Sequence, residues 1–207
     1  MISGRDALKK LREGNHRFVS GVISVETLVS HSRRGLANST QEPIAIILGC
    51  SDARVPAEIV FDQGLGELFV IRVAGNIVAP SQVGSVEFAA ERFGTRLVVV
   101  LGHSMCGAIS ATIEELRRPT ANQSRNLRSI VDRVRPSVET LLDTGLSDQA
   151  LIHKAVRANI RTSVNHLRHG SETLEHLIQN DGLLVVGAEY SLDTGVVDFF
   201  DRVPEPT

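Results

Sequence analysis

The chain has two thiols, and each stands beside groups able to work with it. Cys50 opens the segment Cys50-Ser51-Asp52-Ala53-Arg54, and Cys106 closes the segment His103-Ser104-Met105-Cys106. Two thiolates and one imidazole satisfy three corners of a tetrahedron, the ligand count of a catalytic zinc site with one position left for water. The same donors disfavour magnesium and calcium, which require oxygen. Asp52 is the only acid in either segment, so it either fills the fourth position or stands off the metal. Arg54 is placed to decide between them. A guanidinium paired with the Asp52 carboxylate would keep it off a cation and orient it to accept a hydrogen bond from bound water.

Other residue groups carry weaker signals. His166 and His169 lie one helical turn apart, yet no Glu completes a zincin pattern around them, and a solvated helix face explains them better. Gly64, Gly66 and Gly102 resemble pieces of a dinucleotide loop without its full Gly-x-Gly-x-x-Gly spacing, and read as turn glycines. Arg33-Arg34 and Arg117-Arg118 read as exposed helix ends. A thiol redox enzyme is a rival reading of the two cysteines, but no Cys-x-x-Cys pair supports it. A structural or metal-sensing zinc module is another, with Asp52 as a permanent fourth ligand.

The elements that must position these loops are legible as hydrophobic patterns. Ile44 to Leu48 is a continuous branched apolar run ending at Gly49, as in a buried parallel strand; Leu68 to Val73 and Leu97 to Leu101 are two more. Cys50 therefore follows the first strand, and His103 follows the third. Between the second and third strands, Val83 to Phe93 carries a broad apolar helical face. Ser3 with Asp6 predicts a helix cap, with Ala7, Leu8, Leu11 and Phe18 on one face, and a second short helix is expected near Ser24. After Cys106 helices dominate, with Pro136 expected to kink or interrupt one and Gly145 to end it. Leu183 to Val186 predicts a fourth strand, and Asp193-Thr194-Gly195 a hairpin leading to an antiparallel last one.

Strands alternating with helices, then a hairpin, predict an α/β fold with an open, mostly parallel sheet flanked by helices. A strand order of about 2-1-3-4 would set the first and third strands side by side, so that both loops converge at the carboxyl ends where such sheets bind ligands. One domain is expected over residues 1–207, with a helical arm at about 3–40 and a catalytic core at about 41–201.

Composition narrows the function classes. A formal charge of -2, from 22 basic and 24 acidic side chains spread along the chain, leaves no footprint for a phosphate backbone, so nucleic acid is not an expected partner. The absence of Trp, with a single Tyr, argues against a base-stacking platform. No run approaches the ~20 apolar residues of a membrane span, and charged Arg5, Asp6, Lys9 and Lys10 stand where a signal peptide needs an apolar stretch. Two cysteines cannot staple a secreted scaffold, and a reducing cytoplasm is the expected location.

Taken together, the blocks Cys50-Ser-Asp-Ala-Arg54-Val-Pro, Arg72-Val-Ala-Gly-Asn76 and Gly102-His-Ser-Met-Cys106-Gly resemble the signature blocks of β-class carbonic anhydrases. The similarity runs from about residue 4 to 201 and is looser over 120–180. It implies one zinc ion per subunit, bound by Cys50, His103 and Cys106, with Asp52 and Arg54 as a gating dyad and Asp52 able to ligate. It also implies a carbonate dehydratase, hydrating carbon dioxide reversibly to bicarbonate through a zinc-bound hydroxide, in a homodimer or a dimer of dimers. Gln41, Phe69, Phe88 and Gly107 match substrate-contacting positions, the glutamine near a subunit interface. Some bacterial relatives hold an inhibitory bicarbonate in a pocket with a Trp three residues before the first zinc cysteine. Here that position is Ile47, while Arg72 and Tyr190 match the pocket's other members. Carbonyl sulfide or carbon disulfide would be alternative substrates on the same scaffold. Because two thiolates cancel the charge of zinc, bound water should be less acidic than under three neutral imidazoles, and activity should rise towards alkaline pH.

Overall fold

The structure is a computed structural model that describes residues 2–27, 41–119 and 124–205. Its frame is a five-stranded sheet of order β2-β1-β3-β4-β5, with β1 at Ala45–Gly49, β2 at Leu68–Arg72, β3 at Leu97–His103, β4 at Leu184–Tyr190 and β5 at Val197–Asp201. The first four strands are parallel, and β5 returns antiparallel beside β4. This is the expected topology, with the last strand placed at the edge by the short turn around Asp193 to Gly195. Every residue of β1 and β3 is buried, which is why their sequences are unbroken apolar runs rather than alternating ones.

The helices divide between the two faces. On one lie α1 (Gly4–Val19) and the short α2 (Ala57–Val60), packed on Ile47, Val99 and Leu101. On the other lie α3 (Pro80–Arg92), α4 (Gly107–Arg117), α5 (Arg125–Val138), α6 (Asp148–His169) and α7 (Glu172–Asn180), packed on Ile46, Leu48, Val98 and Val100. Helix α1 starts as expected: Ser3 Oγ accepts from the Asp6 N–H and donates to the Asp6 carboxylate. The helix expected near Ser24 is described over residues 25–27, and residues 28–40, Arg33-Arg34 among them, lie outside the described residues.

Several boundaries differ from the sequence reading. Strand β3 continues through His103 instead of ending at Leu101, because β4 reaches Tyr190 and pairs with it to the last residue. For the same reason the fourth strand runs well past Val186. Helix α3 begins three residues before Val83, at Pro80, whose missing N–H costs nothing in a first turn. Pro136 does not interrupt α5, which ends two residues later and tightens into a 3-10 turn over Glu139–Leu141. Gly145 then turns the chain with φ +68.

Helix α6 sits unusually close to the sheet. A Cβ on Gly102 would meet Ile160 Cδ1 at 2.6 Å, and one on Gly187 would meet Ile160 Cγ2 at 2.8 Å. The two bare strand positions make the seat for Ile160 and let the helix approach the strand ends where the cysteines lie.

Candidate metal centre

Parallel pairing of β1 with β3 brings the two chemical segments together. Gly49 pairs with Leu101, so Cys50 leaves β1 beside the place where β3 delivers His103. The chain then turns through Met105, in the left-handed region at φ 56, and Cys106 becomes the residue capping α4. Three donor atoms meet as a result: Cys50 Sγ, a ring nitrogen of His103 and Cys106 Sγ lie within 4.8 Å of one another, all on buried residues. The two sulfurs are 4.0 Å apart. Sulfurs on a tetrahedral zinc, each about 2.3 Å from it, would be separated by nearly this much.

His103 is oriented for ligation. Its Nδ1 lies 2.9 Å from the Ser104 carbonyl oxygen, which can only accept, so Nδ1 carries the proton and Nε2 presents its lone pair. That Nε2 is buried without a hydrogen-bond partner. An orphaned imidazole nitrogen facing two thiols is costly in a folded core unless a cation takes the lone pair. The donor set and this orphan both fit zinc.

The electrostatics point the same way. The hydrogen bond from Cys106 holds the Cys50 thiol well below the ordinary range against the opposing effect of burial, helped by His103 and the backbone N–H groups of Gly75 and Asp52. Cys106 is pushed up by that same bond, by burial and by the Cys50 charge, while N–H groups of the first turn of α4 favour its thiolate. One sulfur is thus favoured as thiolate and the other as thiol, and a divalent cation would supply the charge that favours both as thiolates. At His103, burial opposes the charged ring, but the adjacent Cys50 sulfur, the Ser104 carbonyl and the Asp52 charge together outweigh it and raise its pKa.

Asp52 stands outside the group of three. Arg54 grips it in a fork, Nε to Oδ1 at 2.9 Å and Nη2 to Oδ2 at 2.7 Å, and the Arg54 backbone N–H adds a third bond to Oδ1 at 3.0 Å. Oδ2 nevertheless lies 3.8 Å from His103 Nε2, at the edge of the donor group. The Arg54 guanidinium is the main reason that the Asp52 carboxyl is held far below the usual carboxylate range.

Residues that the sequence did not single out by chemistry complete the centre. Arg72, at the end of β2, donates Nε to the Cys50 carbonyl at 3.0 Å and Nη2 to the Asp52 carbonyl, tying down the ligand loop from the neighbouring strand. The 3-10 turn Ala74–Asn76 follows, and Gly75 donates its N–H to Cys50 Sγ at 3.4 Å. The run Arg72 to Asn76 was legible as a resemblance, but no spacing rule told which atoms it would hold.

The other expected site residues are spread out. Gly107 follows Cys106 at the first position of α4 and is exposed beside the centre. Gln41 is exposed near Phe93 and Arg96, around the amino ends of β1 and β3, the far end of the sheet from the cysteines. Phe69 pairs with Ile46, three residues short of the rung where Gly49 meets Arg72, and packs on Phe88 and Phe93. Phe88 is 52 % exposed. Ile47 is wholly buried, and Tyr190 packs against Phe18. His166 and His169 are exposed on α6, with His169 3.9 Å from Glu175. Arg117 pairs with Asp148 at 2.9 Å.

Comparison with known proteins places the chain. The sequence profile of the family described as carbonic anhydrase matches residues 45–197, which span the first four strands and the whole donor set. Carbonic anhydrase 2 of Mycobacterium tuberculosis is 39% identical over 197 residues, 95% of this chain and 93% of the relative. A carbonic anhydrase of Mycolicibacterium smegmatis is 36% identical over 192 residues, 93% of this chain and 91% of that one. The fold matches the crystal structure of a β-carbonic anhydrase of Aspergillus fumigatus with a TM-score of 0.72 at 23% identity, covering 97% of this chain and 91% of that one. With its sheet order, its Cys-His-Cys cluster and relatives aligned over nearly their full lengths, the chain belongs to the β-carbonic anhydrase family.

Proposed function

We propose that this protein hydrates carbon dioxide reversibly to bicarbonate and a proton at one zinc ion per subunit, held by Cys50, His103 and Cys106. The observation that carries this reading is the meeting of three soft donors from two distant loops, with a fourth group, Asp52, restrained beside them by Arg54. When bound, zinc supplies Lewis acidity that lowers the pKa of a coordinated water. The protein's own groups do the rest. Arg54 keeps Asp52 from closing the fourth position, and the Asp52 carboxylate, ionised throughout the working range, accepts a hydrogen bond from whatever donor lies over the donor group. A closed structural site has no need of an arginine that withdraws a potential ligand, which favours an open one.

The proposal extends to assembly. Gln41, Phe69 and Phe88 lie away from the cysteines of their own subunit, so a role for them at substrate requires a second copy of the chain. Phe88, exposed and in edge contact with Phe93 at 5.7 Å between ring centroids, gives such a copy an apolar anchor. Homodimers, alone or paired, suit this arrangement. Two thiols that must stay unoxidised to hold metal suit a reducing cytoplasm.

Stopped-flow hydration of carbon dioxide, run with metal analysis on the wild type and on Cys106→Ser, tests the central reading. The expected result is about one zinc per chain with fast turnover in the wild type, and loss of both in the variant. Turnover persisting in a zinc-free Cys106→Ser protein would overturn it.

A further inference from the structure

The turn that donates to the Cys50 sulfur has one closing bond of its own, from the Asn76 N–H to the Val73 carbonyl at 3.0 Å. Gly75 at φ 71 and Asn76 at φ 42 are consecutive left-handed residues, and only the first is a glycine. Two further carbonyls of the turn are held from α6, more than eighty residues later in the chain. Asn159 Nδ2 donates to the Gly75 carbonyl at 2.7 Å, and Ser163 Oγ donates to the Asn76 carbonyl at 2.9 Å. The two side chains are 1 % and 3 % exposed and stand one helical turn apart, within the stripe that otherwise presents Val156, Ile160, Val164 and Leu167 to the core. A buried polar pair on an apolar stripe must be paired to be tolerated, and this pair spends its donors on two successive carbonyls of one turn. The close seat of Ile160 over Gly102 and Gly187 is what brings the pair within reach.

We infer that Asn159 and Ser163 are positioning residues of the metal centre, acting through the Ala74–Asn76 turn to aim the Gly75 N–H at the Cys50 sulfur. This rests on the reading that Cys50, His103 and Cys106 hold zinc, and deepens it. An N–H donor fixes the direction of a thiolate ligand and withdraws some of its electron density, so its alignment sets both the affinity of the site and the strength of the sulfur-metal bond. Asn159 holds the Gly75 peptide itself and should dominate; Ser163 holds the next one.

The test measures metal rather than turnover. Zinc affinity by chelator competition, and the sulfur-to-cobalt charge-transfer band of the Co2+-substituted protein, are compared in the wild type, Asn159→Leu, Ser163→Ala and Ser137→Ala. Ser137→Ala is the control: it removes a buried hydroxyl that bonds Thr162 between α5 and α6 without touching the turn. The expected result is roughly ten- to hundred-fold weaker zinc binding and a displaced band in Asn159→Leu. Ser163→Ala should show a smaller shift in the same direction, and Ser137→Ala a lower melting temperature with an unmoved band. If Asn159→Leu does not fold, Ser163→Ala against Ser137→Ala makes the same comparison. Lowered melting temperatures with wild-type zinc affinity and spectrum in the α6 variants would reduce the pair to ordinary packing and overturn the inference. A wild type that takes up cobalt without any sulfur charge-transfer band would instead overturn the underlying ligand assignment.

Discussion

Arg54 can be removed without touching any donor atom of the centre, which makes the Asp52-Arg54 fork the most informative single contact to break. In Arg54→Ala the carboxylate loses both side-chain hydrogen bonds of the fork, keeping only the one from the backbone N–H, and with them its restraint. We expect it to swing onto the metal, with kcat/KM falling by roughly ten- to hundred-fold while zinc content stays near one per chain. Asp52→Asn should also keep zinc, and should lose turnover across the whole pH range because its amide can no longer act as an anionic acceptor. Steady-state kinetics with metal analysis separates the two. The sign of the pH dependence follows from the direction of the Asp52 shift. A carboxyl held below its ordinary value contributes stability above the unfolded pKa and loses it only as pH falls through the lowered one, in strong acid. Asp52 is therefore ionised at every neutral or alkaline pH. A rise in turnover from neutral towards alkaline pH should thus report deprotonation at the metal rather than at Asp52, and a flat profile there would contradict it.

Among the elements, β3 and α6 together decide whether the centre forms. β3 carries His103 and is buried along its whole length, and α6 rests on the gap that Gly102 and Gly187 leave beside it. Ile160, fully buried in that gap, is the plug. Ile160→Ala should cost about 2–5 kcal/mol of stability, measured by denaturant unfolding, because the bare glycines cannot close the cavity. Replacing Ser3 by Ala, at the start of α1, should cost only about 1 kcal/mol, the value of a lost cap. The first strand, the sheet order and the α1 cap were all legible in the chain, since each follows from a local pattern or a chirality rule. The reach of β3 to His103 and of β4 to Tyr190 was not, because strand length there depends on the partner strand and not on hydrophobicity. Nor was the passage of α5 through Pro136 legible: a proline removes one helical bond, and packing of Val134 and Val138 on the core outweighs that loss.

At the scale of the whole molecule, the described surface separates Gln41, Phe69 and Phe88 from the metal donors, so the proposed dimer makes a prediction of its own. Phe88→Asp should yield monomers by size-exclusion chromatography with light scattering. Those monomers should retain zinc and lose most of their turnover, whereas full turnover in a monomer would show that one subunit suffices. Among the described residues no helix is long and apolar enough to cross a membrane.

By itself the sequence determined the donor types, their positions at the carboxyl ends of two buried strands, and the pairing of Asp52 with Arg54, because each of these is a short-range matter of residue type and spacing. The tertiary structure alone decided which backbone groups complete the centre. Arg72 reaches across from β2 to the ligand loop, and Asn159 and Ser163 reach down from α6 to the turn beneath Cys50. Hydrogen bonds of that kind go to main-chain carbonyls, which every residue has, so no pattern of side chains announces them until the helix has docked on the sheet.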